Sequence, residues 1–282
     1  MTLCIAAASL ESRQPLIVLA ADSRIETDFA GAEIGFKLGW VAEEWPALFA
    51  GNIASARELL QTYMAALKSV ELNGDNLYAA LKEPAELQKL ALCDHHVRMK
   101  LGMSYKDFLE HGRGSLSDAT FQETEFEIRS LDLGCDLITC GFPNSMYEGR
   151  RRVPHIFTIN ADGRVCREDN FAAIGTGSII AQSVMYQRKL DSFGPLARTI
   201  YVVYEAMRLA RIAPGVDHRM TIIVVRPHAD GIPSLPSLIV GPNGYKLLDE
   251  QFQNYGPKSL NVFAKMDEEC FVKEHADVEK SP

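Results

Sequence analysis

The chain has 282 residues, 47% of them hydrophobic and 23% charged, enough to bury a full core in the manner of an ordinary globular protein. Its formal charge of -8 argues against a protein that coats nucleic acid or an anionic membrane, because both need a basic footprint. No apolar run reaches membrane-spanning length. Met1 leads straight into Thr2, Leu3 and Cys4, and Glu11, Arg13 and Gln14 follow too soon for a secretory segment, so a cytoplasmic protein is expected. Cys4, Cys93, Cys135, Cys140, Cys166 and Cys270 lack close pairing and are read as reduced, mostly buried structural thiols.

In chain order, apolar runs at Leu3 to Ala8 and Leu16 to Ala21 flank a polar turn and predict a hairpin of two buried strands. An extended stretch through Gly35, Lys37 and Val41 leads to another short run at Ala47 to Ala50. From Ile53 the period lengthens: Ala56, Leu59, Leu60, Tyr63, Met64 and Leu67 fall three or four apart and predict an amphipathic helix. A second helix is predicted from Asn76 to about His95, with Leu77, Leu81, Leu87 and Leu90 inward and a kink at Pro84. The segment at about 97–132 reads as an insertion, with an extra strand from Phe121 to Leu131.

Strands resume at Asp136 to Cys140 and His155 to Ile159, the latter turning at Asp162-Gly163 into a further strand ending near Arg167. Phe171 to Ile174 and Gly175-Thr176-Gly177-Ser178 lead into helical spacing at Ile179, Ile180, Val184 and Tyr186. A helix from about Pro195 to Ile212 turns Ile200, Val203, Tyr204, Met207 and Ala210 inward, and Met220 to Val225 is a last core strand. Residues 1–226 are thus expected to form the main domain and 227–282 a peripheral C-terminal extension. Two groups of helices around groups of strands suggest two sheets covered by helices on both outer faces.

Thr2 carries a complete catalytic unit if Met1 is removed, which methionine aminopeptidase does before small residues. Its hydroxyl is then the nucleophile, and its own α-amine, with a pKa near about 8, is the base. Cys93-Asp94-His95-His96 offers metal-type ligands, but neighbouring helical residues diverge and no second cluster completes a zinc spacing. Arg150-Arg151-Arg152 reads as a solvated turn rather than a nucleic-acid patch.

Taken together, the strand at Thr2, the stretch Val18-Leu19-Ala20-Ala21-Asp22-Ser23-Arg24, Lys37, Phe49-Ala50-Gly51-Asn52 and the turn from Phe171 to Ser178 resemble proteasome β-subunits and their bacterial relatives, the HslV and Anbu peptidase subunits. The resemblance covers roughly residues 2–70 and 134–226. It implies an α/β (α+β) protein, a four-layer αββα sandwich of the N-terminal nucleophile hydrolase type. Carried over by position, Thr2 is the nucleophile, Asp22 and Lys37 the supporting carboxylate and lysine, Gly51 an oxyanion donor through its N–H, and Thr176 stands where the family has a serine. A lysine ammonium near the hydroxyl favours its alkoxide-like form, and Asp22 would hold that lysine charged and oriented.

Between Arg211 and Asp217 the family's aspartate and following serine are missing as a pair, and Asp217 is the candidate replacement. A substrate pocket is expected at Ile25, Gly39, Phe49 and Ile53. Each residue also has a plainer reading: Asp22 as a turn cap, Lys37 as a solvated strand-end charge, Gly51 as close-packing glycine before a helix, Phe49 and Ile53 as core. The resemblance implies hydrolysis of a peptide or other amide without metal or organic cofactor, and a homo-oligomer, ring or helical stack; it names no unfoldase partner and implies neither nucleic-acid nor membrane binding. The alternatives are an inactive scaffold or binding subunit and a small-molecule amidase on the same fold.

Overall fold

A computed structural model describes residues 2–23, 25–27, 30–32, 37–42, 45–143, 153–227 and 237–257. The chain divides into two compact units, Met1–Val240 and Gly241–Pro282. Within the first unit lie two five-stranded antiparallel sheets.

One sheet is built on β1 (Leu3–Glu11) and β2 (Gln14–Asp22), paired through a two-residue turn. Ser12 and Arg13 both take positive φ there (47° and 68°), the backbone a hairpin of this length requires. On the far side of β1 lies β10 (Phe171–Gly175), and beside β2 lie β11 (Met220–Val225) and β12 (Ser237–Ile239), giving the order β10-β1-β2-β11-β12. The second sheet takes β5 (Leu38–Ala42), β6 (Trp45–Gly51), β7 (Cys135–Gly141), β8 (His155–Ile159) and β9 (Val165–Glu168) in sequence order. A separate small ribbon pairs β3 (Ile25–Thr27) with β4 (Ala30–Ala32).

Side-chain alternation explains the layering. Cys4, Ala6, Ala8, Ile17, Leu19 and Ala21 of the first sheet meet Leu48, Ala50, Ile138, Cys140 and Ile156 of the second in one buried cluster between the sheets. Outside the first sheet pack α5 (Ser178–Gln187) and α6 (Leu196–Leu209). Over the second sheet pack α1 (Ile53–Leu67) and α2 (Leu77–Leu101), whose Leu59, Tyr63, Leu77 and Leu81 join Ala47, Phe49 and Leu137. Each such leucine, fully buried, contributes roughly 1.5–3 kcal/mol. This is the expected four-layer αββα sandwich.

Several local expectations are corrected. The 97–132 segment contains no strand: α2 continues through Pro84 to Leu101, and α3 (Tyr105–Ser115) and α4 (Asp118–Ser130) follow. Ser104 and Ser117 cap these two helices, accepting the Asp107 and Thr120 N–H groups at 3.1 and 3.2 Å. Glycines at 112 and 114 weaken the helical pattern of α3, yet Gly112 is what fits there, since a Cβ would come within 3.1–3.2 Å of the Phe108 and Phe121 rings. Those rings stack at 4.9 Å in a satellite core with Cys93, Val97 and Ile128. Met64, Leu87 and Leu90, expected inward, are about half exposed because the apolar arc of their helices is narrower than the spacing suggests. The chain beyond 226 is not wholly peripheral, as β12 pairs with β11.

The second unit contains α7 (Pro242–Tyr255), which starts with proline at its first turn, where a missing N–H costs nothing. Cys4, Cys93, Cys135 and Cys140 are buried as expected, whereas Cys166 is exposed on β9, an edge strand; Cys270 lies outside the described residues. No helix among the described residues is long and apolar enough to cross a membrane.

Candidate active site

Thr2 immediately precedes β1, Asp22 ends β2, and Lys37 immediately precedes β5 of the other sheet. The pairing of Cys4 with Ala21 brings Thr2 alongside the end of β2. Thr2 Oγ1 donates to Asp22 Oδ1 at 2.5 Å, and Lys37 Nζ donates to both Thr2 Oγ1 and Asp22 Oδ1. Backbone N–H groups complete the carboxylate: Leu3 on Oδ1 and Asp217 on Oδ2, each at 3.2 Å. All three side-chain-bearing residues are nearly inaccessible, Thr2 and Lys37 at 4% and Asp22 at 1%. Buried charges at such depth are tolerated only when paired and hydrogen-bonded, and both conditions are met. The plainer readings of Asp22 as a turn cap and Lys37 as a solvated charge therefore do not describe the structure.

Two glycines set the surrounding backbone. Gly51, at the end of β6, has φ 113°, and a Cβ there would stand 2.6 Å from the Gly134 carbonyl oxygen and 2.8 Å from Cys135 Cα. The next residue, Asn52, caps α1 by accepting the Ala54 N–H at 2.8 Å, so the strand turns into a helix at this joint. Gly175 has φ 92°, and a Cβ there would come within 2.2 Å of the Thr2 carbonyl oxygen. Thr176 donates towards Thr2 O at 3.4 Å and Pro214 O at 3.2 Å, while its side chain stays on the surface.

These pieces border a cleft of about 830 Å³, lined among others by Thr2, Gly51, Gly175, Thr176 and Ser178. Of the expected pocket residues, Gly39, Phe49 and Ile53 do not line it. Gly39 lies under Leu60, where a Cβ would meet Cδ1 at 2.5 Å; Phe49, on the same face of β6 as Ala47, belongs to the core under α1; and Ile53 packs against that core. The side chain of Ile25 lies outside the described residues. Two cleft residues that the sequence reading passed over are Asp132 and Asp136. Their signal was an Asp-x-Gly turn, with Gly134 N–H bonded to Asp132 at 2.8 Å, directly before the apolar run of β7.

Asp217 is brought to the site by its backbone. Its side chain accepts the His218 N–H at 2.6 Å through Oδ1, while Oδ2 is buried without a hydrogen-bond partner among the described residues. Cys4 donates to the Phe49 carbonyl at 3.3 Å, and burial pushes its thiol up to about 12 although the Lys37 charge acts in the opposite sense. It is a poor nucleophile beside a better-placed hydroxyl.

The Cys93 to His96 cluster is occupied structurally. Cys93 is core, Asp94 binds Arg98 and the Tyr105 N–H, and His96 meets Glu127 at 2.9 Å. Among the described residues no three His, Cys, Asp or Glu side chains gather as a metal site. Arg150, Arg151 and Arg152 lie outside the described residues.

No protein-family model matches this sequence, and no curated protein matches it either. Solved structures do. HslV from Trypanosoma brucei matches at 18% identity over 80% of this chain and 99% of that one, with a TM-score of 0.49. The Gly-1 mutant of Anbu from Hyphomicrobium sp. strain MC1 matches at 16% identity over 95% of this chain and 100% of that one, with a TM-score of 0.58. At 16% identity the likeness to the Anbu structure is one of fold.

Proposed function

We propose that this chain, whose fold is that of the proteasome-like N-terminal nucleophile hydrolases, is a threonine-type hydrolase that cleaves peptide or other amide bonds through Thr2 once Met1 is removed. The observation that carries the reading is the buried hydrogen-bonded set of Thr2 Oγ1, Asp22 and Lys37 at the edge of the cleft. A lysine ammonium bonded to the hydroxyl lowers the cost of its alkoxide form, and Asp22, bonded to both, keeps that ammonium aimed at it.

In the proposed reaction, Thr2 Oγ1 attacks the substrate carbonyl carbon while its proton passes to the freed α-amine of Thr2. The tetrahedral oxyanion is stabilised by the Gly51 N–H, an interaction of a kind that typically lowers the barrier by about 3 kcal/mol. Collapse breaks the C–N bond, the α-ammonium gives its proton to the departing amine, and an ester on Thr2 remains. Water, deprotonated by the same amine, attacks the ester and releases a carboxylic acid, restoring Thr2. Thr176 would hold the Thr2 backbone, and Asp217 would stand in for the family's aspartate by fixing Asp22.

Self-association is part of the reading. Ile179, Tyr186, Phe193 and Ile212, on α5 and in the turns after α5 and α6, are 71–82% exposed in the single chain, and contact with further copies would cover such apolar side chains. Sedimentation of the purified protein tests this. An inactive scaffold is the second reading, favoured by the missing acidic and serine pair between Arg211 and Asp217.

Intact mass before and after an epoxyketone, which reacts with both the amine and the hydroxyl of an N-terminal threonine, tests the main proposal. Loss of Met1 and one adduct, absent in Thr2→Ala, is the expected result. Complete retention of Met1 in protein made at low expression would remove the base and favour the scaffold.

A further inference from the structure

Glycine has no side chain to hold its own peptide groups, so the Gly51 N–H points where its surroundings put it. Those surroundings are a short strap, residues 131–134, and the start of β7. Gly51 and Gly134 line the same cleft as Thr2. Ala50 and Gly51 pair with Asp136 and Cys135 of β7, and the peptide group after Gly51 is fixed by the Asn52 N–H, which donates to the Gly134 carbonyl at 2.9 Å. Gly134 takes φ 72°, and a Cβ on it would stand 2.6 Å from Ser55 Oγ and 3.0 Å from Ser55 Cβ in the first turn of α1. Only a glycine lies this close to the joint between β6 and α1.

The strap is tied down along its length. Asp132 Oδ1 accepts the Gly134 N–H at 2.8 Å, and Leu133 donates its N–H to the Ala161 carbonyl at 2.7 Å while its side chain sits in the core with Leu59 and Leu81. Leu131, the last turn of α4, offers its carbonyl to Lys89 Nζ of α2. Lys82, Lys100 and Lys106 pair with glutamates, whereas among the described residues Lys89 has no carboxylate partner and spends its ammonium on this main-chain oxygen. A cation at a helix C-terminus stabilises that helix in any protein. Here the carbonyl it holds lies three residues before the one that receives Asn52, so the end of α4 and the backbone around Gly51 are held as one piece.

We infer that Lys89 and Gly134 are positioning residues that aim the Gly51 N–H, Lys89 by holding Leu131 and Gly134 by holding Asn52. The end of α4 thereby serves the active site. The inference rests on the proposed roles of Thr2 and Gly51 and adds two residues that act through Gly51. An oxyanion donor works only when it is set in place before the reaction, and a small displacement of it is costly.

The test uses the full-length protein, with the Met1 state determined by mass, and reads epoxyketone labelling of Thr2 as a maximal rate and a half-saturating concentration. Addition of Thr2 Oγ1 to the inhibitor's ketone carbon places charge on the ketone oxygen, so a misaimed Gly51 N–H lowers the maximal rate and leaves the half-saturating concentration nearly unchanged. Lys89→Met is expected to lower that rate about tenfold, and Lys89→Arg, which still donates to the Leu131 carbonyl, to keep it near wild type. Lys82→Met, which removes a surface lysine paired with Glu86 on the same helix, is the control. Gly134→Ala is expected to lower the rate about a hundredfold, and adding Ser55→Ala, which removes the atom at 2.6 Å, to recover part of it. Hydrogen exchange of the peptide spanning residues 50–54, read by mass spectrometry, follows the Asn52 N–H directly and should quicken about tenfold in Lys89→Met.

A maximal rate unchanged in folded Lys89→Met, or lowered equally in Lys89→Arg, overturns the inference. Exchange that quickens with no loss of rate makes the strap a structural tie only and overturns it as well. If Gly134→Ala fails to fold, the Lys89 series decides alone. If the wild-type protein takes no adduct, the hydrolase reading falls and exchange decides: quickening in Lys89→Met but not in Lys89→Arg supports the hold of α2 on the Gly51 backbone, and equal exchange in all three proteins sinks it.

Discussion

Asp22 and Lys37 form an ion pair that joins the two sheets of the sandwich, with side chains 0% and 4% exposed. Removing one partner of such a pair leaves the other charge buried and uncompensated, which typically costs about 3–5 kcal/mol. Lys37→Ala is therefore expected to lower stability by about that amount in urea unfolding. Asp22→Asn combined with Lys37→Met, which buries no net charge, should recover part of the loss. Strictly additive effects of the two substitutions would show that the pair is not coupled.

Gly175 and Gly51 give a backbone test of the same site. Alanine at 175 must clear the Thr2 carbonyl oxygen from 2.2 Å at φ 92°, and the only accommodation is to move Thr2 or β10. Alanine at 51 must push β6 away from Gly134 and Cys135 and so turn the proposed oxyanion donor. Each should slow epoxyketone labelling of Thr2 by roughly a hundredfold. Gly74→Ala, with nothing within 4 Å of the added carbon, is the control and should label at the wild-type rate.

Phe49 separates core from pocket. It is 7% exposed and packs under α1, so Phe49→Ala should cost about 3–5 kcal/mol of stability and leave the ranking of cleaved peptides unchanged. A large change of substrate ranking in variant protein that is still folded would restore Phe49 to the substrate pocket.

His155 predicts a pH effect on stability. Burial, and secondarily the Arg167 charge, lowers its pKa from 6.5 to about 4, and its Nδ1 is buried without a partner among the described residues. A depressed histidine is neutral in the folded state while the unfolded chain binds a proton. Its contribution is therefore present above about pH 6.5, declines as the pH falls, and is fully lost below about pH 4. Unfolding free energy measured from pH 7 to 4.5 should fall less steeply in His155→Gln than in the wild type; parallel curves would refute the assignment.

Local pattern was enough for the elements whose period is strong. The alternation and apolar runs of residues 3–22 specify a hairpin, the three-and-four spacing of Leu59, Leu60, Tyr63 and Leu67 specifies α1, and the Asp162-Gly163 turn specifies the β8 and β9 hairpin. The order of Thr2, Asp22, Lys37 and Gly51 along the chain was legible only through a family resemblance, because spacing says nothing of distance in space.

Tertiary structure decided the rest. Lys37 reaches Thr2 from the opposite sheet, a contact made by closing a loop and packing two sheets rather than by any local preference. Strand alternation says that Phe49 and Ala50 face opposite ways, but only the layer lying on each side makes Phe49 core under α1 and Ala50 part of the cleft wall. The helix α3 was hidden because Gly112, a residue that weakens a helical pattern, sits against the Phe108 and Phe121 rings of the satellite core. Asp132 and Asp136 line the same cleft as Thr2, more than a hundred residues away in the chain, only because both sheets are stacked. Sequence periodicity determines which faces must be buried; which face meets which, and hence which side chains come to share a cleft, is decided by the long-range packing of the sheets and helices.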